Sequence, residues 1–330
     1  MILTYFKRHR RTRRQLFCAS LAVPLIWHTT AASAQQEDRP IRIVVPFPPG
    51  GSNDIIGRVI AQELTGRLKR SVVVVNMPGG GGTIGASNIA KATPDGTNLL
   101  LISATFTMNE WAMTLPYDPT HSFTPVAMLG MGPSVIVAHP DLPVNTMKNL
   151  VDFSHKHPGV VNFSTSGPGS FQHFAAALLK LRTGVDITIV HYRGGGPALN
   201  DLAAGNVHVT LGSLIQMQAY LQSGRIKLIG VSGEKRVAQI PDTPTLKEDG
   251  YDVDLSNWWG LLAPRDTPDA TLTALHQHIN AVLTSPELKR RLANEAAQPA
   301  PMHRTEFRKF LADQTQRWKT VAEQTGIRNS

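Results

Sequence analysis

Cysteine is almost missing from this 330-residue chain: Cys18 is the only one, and it stands in a basic and apolar N-terminal segment. No disulfide framework is available, so the fold must rest on its core, and about 300 residues are enough to bury one, most naturally as two domains. Long apolar runs are also lacking. The run from Leu16 to Trp27 spans about a dozen residues, whereas a membrane-spanning helix needs roughly 20. Catalytic signatures are absent too. A nucleophile elbow needs G-x-S-x-G, but Ser52 is followed by Asp54 at the second glycine position and Ser170 has Pro168 at the first. His155-x-His157 and His276-x-His278 stand without cysteines or carboxylates at zinc-site spacing. Gly80 to Gly85 formally matches G-x-G-x-x-G, yet it follows the second strand and Leu99 to Ala104 ends without the acid that would meet a ribose. No enzyme, no metal and no cofactor are expected.

What the N-terminus does carry is positive charge. Lys7, Arg8, Arg10, Arg11, Arg13 and Arg14 precede the apolar run, and Ala32-Ser33-Ala34 follows it. That order reads as a signal peptide over 1–34, cut after Ala34, with Thr12 to Phe17 resembling a twin-arginine export motif. The expected address is the periplasm. Six of the 33 Lys and Arg would leave with the signal while the 24 acids stay, so 27 − 24 leaves about +3 of the formal +9. The remaining charges are interspersed, as at Lys247, Glu248 and Asp249, and a nucleic-acid partner is not expected.

Beyond the signal, short β-branched runs alternate with helical spacing. Runs such as Ile41 to Phe47, Val72 to Val75, Asn98 to Ala104, Ile187 to Tyr192 and Lys227 to Val231 read as buried strands. Ile55, Val59, Ile60, Leu64 and Leu68 mark one of the helices between them. The fold class is α/β with parallel sheets. Trp258 to Pro264 reads as one more strand, and the tail from Asp269 is helical without strand signal.

Four strand-to-helix junctions share a glycine-rich design: Pro46 to Asp54, Pro78 to Gly85, Ser164 to Ser170, and Tyr192 to Pro197. Glycine lets the backbone approach a ligand, and the helix that follows presents unpaired N–H groups and a positive dipole end. Such junctions bind anions, and ligands of open α/β sheets sit beyond the carboxyl ends of the strands. Backbone donors with the hydroxyls of Ser52, Thr83, Ser166 and Ser170 suit a carboxylate. Asp54 reads equally as a helix cap or as a clamp on its loop. Arg193 reads as a cationic partner or a surface residue, and His173 as a packed or solvated histidine.

Taken together, these segments resemble the Bug family, the extracytoplasmic receptors of tripartite tricarboxylate transporters. The resemblance rests on Pro46-Phe47-Pro48-Pro49-Gly50-Gly51-x-x-Asp54, Asn76-x-Pro78-Gly79 through Gly85, Ala90-Lys91-Ala92-x-Pro94-Asp95-Gly96, Tyr117-Asp118-Pro119, Tyr192-Arg193-Gly194 and Pro241 to Leu246. It implies a periplasmic binding-protein fold whose two lobes close on a small carboxylate. Lobe 1 would comprise 35–136 plus 258–330, and lobe 2 would comprise 137–257. The implied ligand-binding set is Pro48, Gly50, Gly51, Asn53, Asp54, Gly80, Gly81, Gly82, Thr83 and Thr105 from the first lobe, with Ser166, Gly169, Ser170, His173, Arg193 and Gly194 from the second. The implied partner is a two-subunit membrane permease. The alternatives are a sensor protein of a signalling system and, as a rival class, an exported enzyme using the same cleft; a monomer is expected. The chain departs from the family pattern at His191, at His208 and at Phe106-Thr107-Met108.

Overall fold

Val and Ile dominate the first strand, β1 (Ile41–Val45), because a strand covered on both faces needs apolar side chains at successive positions. The computed structural model describes residues 39–327, so the signal-peptide reading over 1–34 lies outside the described residues. From β1 the chain enters α1 (Ser52–Leu68), whose Ile56, Val59, Ile60 and Leu64 are buried. Each fully buried aliphatic side chain of this kind contributes about 1.5–3 kcal/mol. Next come β2 (Val72–Asn76), α2 (Thr83–Ala90), β3 (Asn98–Ser103), the short α3 (Asn109–Ala112) and β4 (Phe123–Gly132). The chain then builds a second sheet: β5 (Val135–Ala138), α4 (Met147–Lys156), β6 (Asn162–Thr165), α5 (Phe171–Thr183), β7 (Thr188–His191), α6 (Gly195–Ala203), β8 (Val209–Gly212), α7 (Leu214–Gln222) and β9 (Lys227–Val231). It returns through β10 (Asn257–Pro264) and ends in α8 (Asp269–Val282), α9 (Pro286–Asn294), β11 (Gln298–Pro299) and α10 (Arg304–Thr325).

The first sheet has the order β11-β4-β10-β3-β1-β2 and the second β7-β6-β8-β5-β9. Strands joined by helices run parallel, as in β1 with β2 (Ile41 opposite Val72) and β6 with β7 (Asn162 opposite Thr188). The sheets are mixed, parallel within each helix-linked set but not throughout. The strands that enter each sheet from the other are reversed: β10 runs antiparallel to β3 and β4, and β5 runs antiparallel to β8 and β9; the short β11 is also antiparallel to β4. A strand that arrives directly from the other sheet has no crossover helix to turn it around.

The two crossings are stitched to each other. The Ser134 hydroxyl donates to Leu255 O at 2.7 Å, and its N–H donates to the Ser232 hydroxyl at 2.9 Å. A second tie comes from the last helix. Trp318 of α10 meets Phe174 of α5 edge-on, with ring centroids 5.8 Å apart, and both rings are fully buried. The C-terminal helix that serves the first sheet is thereby anchored to a helix of the second.

Candidate ligand-binding cleft

A cavity of about 520 Å³ lies where the carboxyl ends of both sheets meet. From the first sheet its wall takes Phe47 to Pro49 and Gly51 to Asn53 after β1, Gly81 after β2, and Ser103 and Thr105 at the end of β3. From the second it takes Ser166 and Pro168 to Gln172 after β6, and Gly212, Ser213 and Gln216 around the start of α7. Met113, Ser134 and Asn257 complete it. This is the position at which open α/β sheets hold ligands. Among the described residues no charged side chain lines the cavity.

Each loop is held by its own hydrogen bonds. Asp54 is buried in the first turn of α1 but turns away from the cavity. It accepts from Gly50 N at 3.0 Å, from the Asn76 amide at 2.9 Å and from Arg58, so it ties the β1 loop to the end of β2. Burial pushes its pKa up, but the hydrogen bonds from Arg58, Gly50 and Asn76 outweigh it and hold the carboxyl below 3.8. Asp54→Ala is expected to cost about 1–3 kcal/mol in urea unfolding and to loosen the loop. Because the folded pKa is depressed, that contribution is present above pH 3.8 and lost as the pH falls through the folded value.

Asn53 is fixed from both sides: its amide donates to Ser103 Oγ at 3.3 Å, and its oxygen accepts from Trp259 Nε1 at 2.9 Å. The β2 loop uses glycine for its shape. Gly81 has φ +62°, and its carbonyl accepts from the Asn109 amide at 3.1 Å, which sets the orientation of that peptide. On the second sheet, the Ser170 hydroxyl donates to Gly167 O at 2.7 Å and accepts from His173 N at 3.3 Å, capping α5. The Ser166 hydroxyl donates to Gln172 Oε1 at 2.8 Å.

His173 supports this loop from behind. Its Nδ1 accepts from Gly169 N at 3.1 Å, and its ring meets His191 edge-on at 4.6 Å. Burial, then the neighbouring His191, bring its pKa down from 6.5 to about 4, so the neutral ring accepts as the loop requires. The folded state therefore binds fewer protons than the unfolded one, and the stability His173 contributes is lost as the pH falls from 6.5 towards 4. A urea-midpoint series across that window should show a shallower acid loss for His173→Gln than for the natural chain.

Of the residues singled out in the sequence, Pro48, Gly51, Asn53, Gly81, Thr105, Ser166, Gly169 and Ser170 come together on the cavity wall. Gly50, Asp54, Gly80, Gly82, Thr83, His173, Arg193 and Gly194 do not line it. Gly50, Asp54 and His173 act one layer behind, through the bonds above, whereas Arg193 is exposed. Ser213 and Gln216 also line the cavity, after a further strand-to-helix junction at Gly212-Ser213 whose single glycine makes no glycine-rich signal in the sequence. Met113, Ser134 and Asn257 reach the wall from segments with no local signal.

Residues 56–327 match the family described as the tripartite tricarboxylate transporter family receptor. This chain belongs to that family. It is 34% identical over 314 residues to the protein BugT of Bordetella pertussis, covering 94% of each chain. A Rhodopseudomonas palustris protein solved with adipate superposes with a TM-score of 0.79 at 32% identity, over 88% of this chain and 99% of that one. A second R. palustris protein, with bound malate, gives 0.74 at 29% identity, over 86% and 98%. The two-lobed fold with a cleft is that of periplasmic binding proteins, and the family is one of solute-binding receptors. Among the described residues no helix is long and apolar enough to cross a membrane.

Proposed function

We propose that this chain captures a small organic acid in the periplasm and presents it, with the lobes closed, to a membrane permease. The division is lobe 1 as 35–136 plus 258–330 and lobe 2 as 137–257, acting as a monomer after removal of 1–34. The observation that carries the reading is the composition of the cavity wall: hydroxyls, amides and the start of α1, with no charged side chain. Unpaired N–H groups at a helix start and hydroxyl donors favour an anion of modest charge and do not lock it into a salt bridge. Gly51, Ser52 and Asn53 with Gly81 and Thr105 would hold one carboxylate, partly through water. The volume leaves room for several waters, at about 30 Å³ each in the liquid. Gln172, Gln216 and Asn257, which both donate and accept, face the remainder of the ligand beside Phe171 and Met113. Adipate and malate in the R. palustris neighbours are small diacids of the kind this wall suits.

Closure follows from differential contact: a ligand touching both lobes stabilises the closed form and shifts the population towards it. A thermal-shift panel of organic acids and their neutral amides tests the reading. A ligand at 100 times its Kd stabilises the fold by about 2.7 kcal/mol. Acids that raise the melting temperature while the matching amides do not are the expected pattern; the reverse pattern refutes it.

A further inference from the structure

One buried acid stands directly behind the wall and belongs to none of the interactions described so far. Glu295 follows α9 and is 4% exposed. The Ser52 hydroxyl donates to its Oε1 in a short contact, and its Oε2 is buried with no hydrogen-bond partner among the described residues. The Ser213 hydroxyl, also buried, lies close enough to Glu295 to lower its pKa but outside hydrogen-bond geometry to it. Ser52 lies on the first lobe's side of the cavity and Ser213 on the second's, and both line it. The turn that aims the carboxyl is itself strained: Ala296, the next residue, has φ +56° and is not glycine. An ionised carboxylate with one oxygen unsolvated is costly, whereas a protonated one needs fewer partners.

We propose that Glu295 is a positioning residue that couples carboxylate capture to the uptake of one proton, by setting the direction of the Ser52 hydroxyl. When Glu295 is ionised it holds the Ser52 hydrogen, and the hydroxyl offers the cavity only lone pairs. When Glu295 is protonated it donates to Ser52 instead, which frees the Ser52 hydrogen to meet a ligand oxygen. An anionic ligand next to Ser52 favours the second arrangement, so a proton from solvent enters with it. This rests on the carboxylate reading of the cleft given above.

The surroundings agree with a group that titrates on its own. Burial raises the Glu295 pKa above 4.5, the Ser52 and Ser213 hydroxyls lower it, and no charged group acts on it. On α1, Asp54 and Arg58 are paired with each other; within α9, Arg291 is paired with Glu287. Gln239, which donates to Ala293 O beside it, is neutral, as is Gln216 of α7. Arg236 of the same segment is paired with Glu248, and Glu234 with Lys247.

The first test needs no ligand. Carboxyl-carbon NMR of the purified protein, with the Glu295 signal assigned by its loss in Glu295→Gln, should show titration above the ordinary glutamate value of 4.5. A midpoint at or below that value overturns the proposal. The second test measures adipate binding by calorimetry from about pH 5 to about pH 8, in buffers of different protonation heat. The natural chain should take up protons on binding and lose affinity by up to about tenfold per pH unit relative to Glu295→Gln. The glutamine variant, whose amide N–H donates to Ser52 at every pH, should bind without that slope. Adipate binding with equal proton uptake in both proteins overturns the coupling alone. Failure of adipate and every other carboxylate to bind at any pH overturns the carboxylate reading and the coupling with it, even if the NMR midpoint stands high.

Discussion

Gly51→Val should weaken carboxylate binding by about a hundredfold or more while leaving the unfolding curve of the protein nearly unchanged. Gly51 caps α1 with φ −82° and ψ 170°, extended backbone that valine adopts readily. A Cβ built there meets no atom of the protein within 4 Å, so the fold pays nothing for it in contacts. The new side chain stands instead at the cavity wall, beside the first N–H groups of α1. Losing two hydrogen bonds to a charged ligand, at about 1.5–3 kcal/mol each, weakens binding by about a hundredfold or more. Gly81 is the less clean position for the same test. Its φ of +62° strains any β-branched residue, and a Cβ would stand 3.3 Å from Met113, so lost binding there would be mixed with lost stability. Calorimetric affinity together with urea unfolding of Gly51→Val separates the two effects; unchanged affinity would remove the β1 loop from the site.

Trp318→Ala should bring the largest loss of stability, about 3–5 kcal/mol, as is usual for a fully buried tryptophan. The ring is 1% exposed and packs against Phe174 across the junction of the two lobes. Its indole N–H is buried with no hydrogen-bond partner among the described residues, so the ring contributes through packing and through the Arg317 guanidinium 5.1 Å from its centroid. Trp318→Phe should therefore recover much of the loss, because it keeps an aromatic face and removes an unsatisfied donor. Denaturant midpoints of the two variants check this, and an alanine variant as stable as the natural chain would contradict the assignment of that ring to the core.

The architecture was legible because β1 and α1 differ sharply in period: Ile41 to Val45 is apolar on both faces apart from Arg42, whereas Ile56, Val59, Ile60 and Leu64 recur at helical spacing. The strand β4 was not legible. Phe123 to Gly132 carries Pro125 and two glycines, and it is a strand because β10 pairs along it, with register shifts on the way. The reversed direction of β5 and β10 was hidden for the same reason, since strand direction depends on where the chain crosses.

The site was legible in part. Gly51 and Gly81 announce themselves through paired glycines before a helix. Asp54, readable as a cap or a clamp on its loop, and His173, readable as a packed or solvated histidine, are ligand groups only by the resemblance, and in the fold they hydrogen-bond Gly50 and Gly169. Glu295 gave no signal at all. Its chemistry arises from burial beside Ser52, 243 residues away in the chain.

A crystal structure of the protein with a bound carboxylate is the most direct test of the central claim. The account predicts one carboxylate group within hydrogen-bonding distance of the Ser52 hydroxyl and the first backbone N–H groups of α1, directly or through one water, with no cationic side chain in contact. A carboxylate paired with Arg193, or a ligand seated away from the loops after β1 and β2, would contradict it.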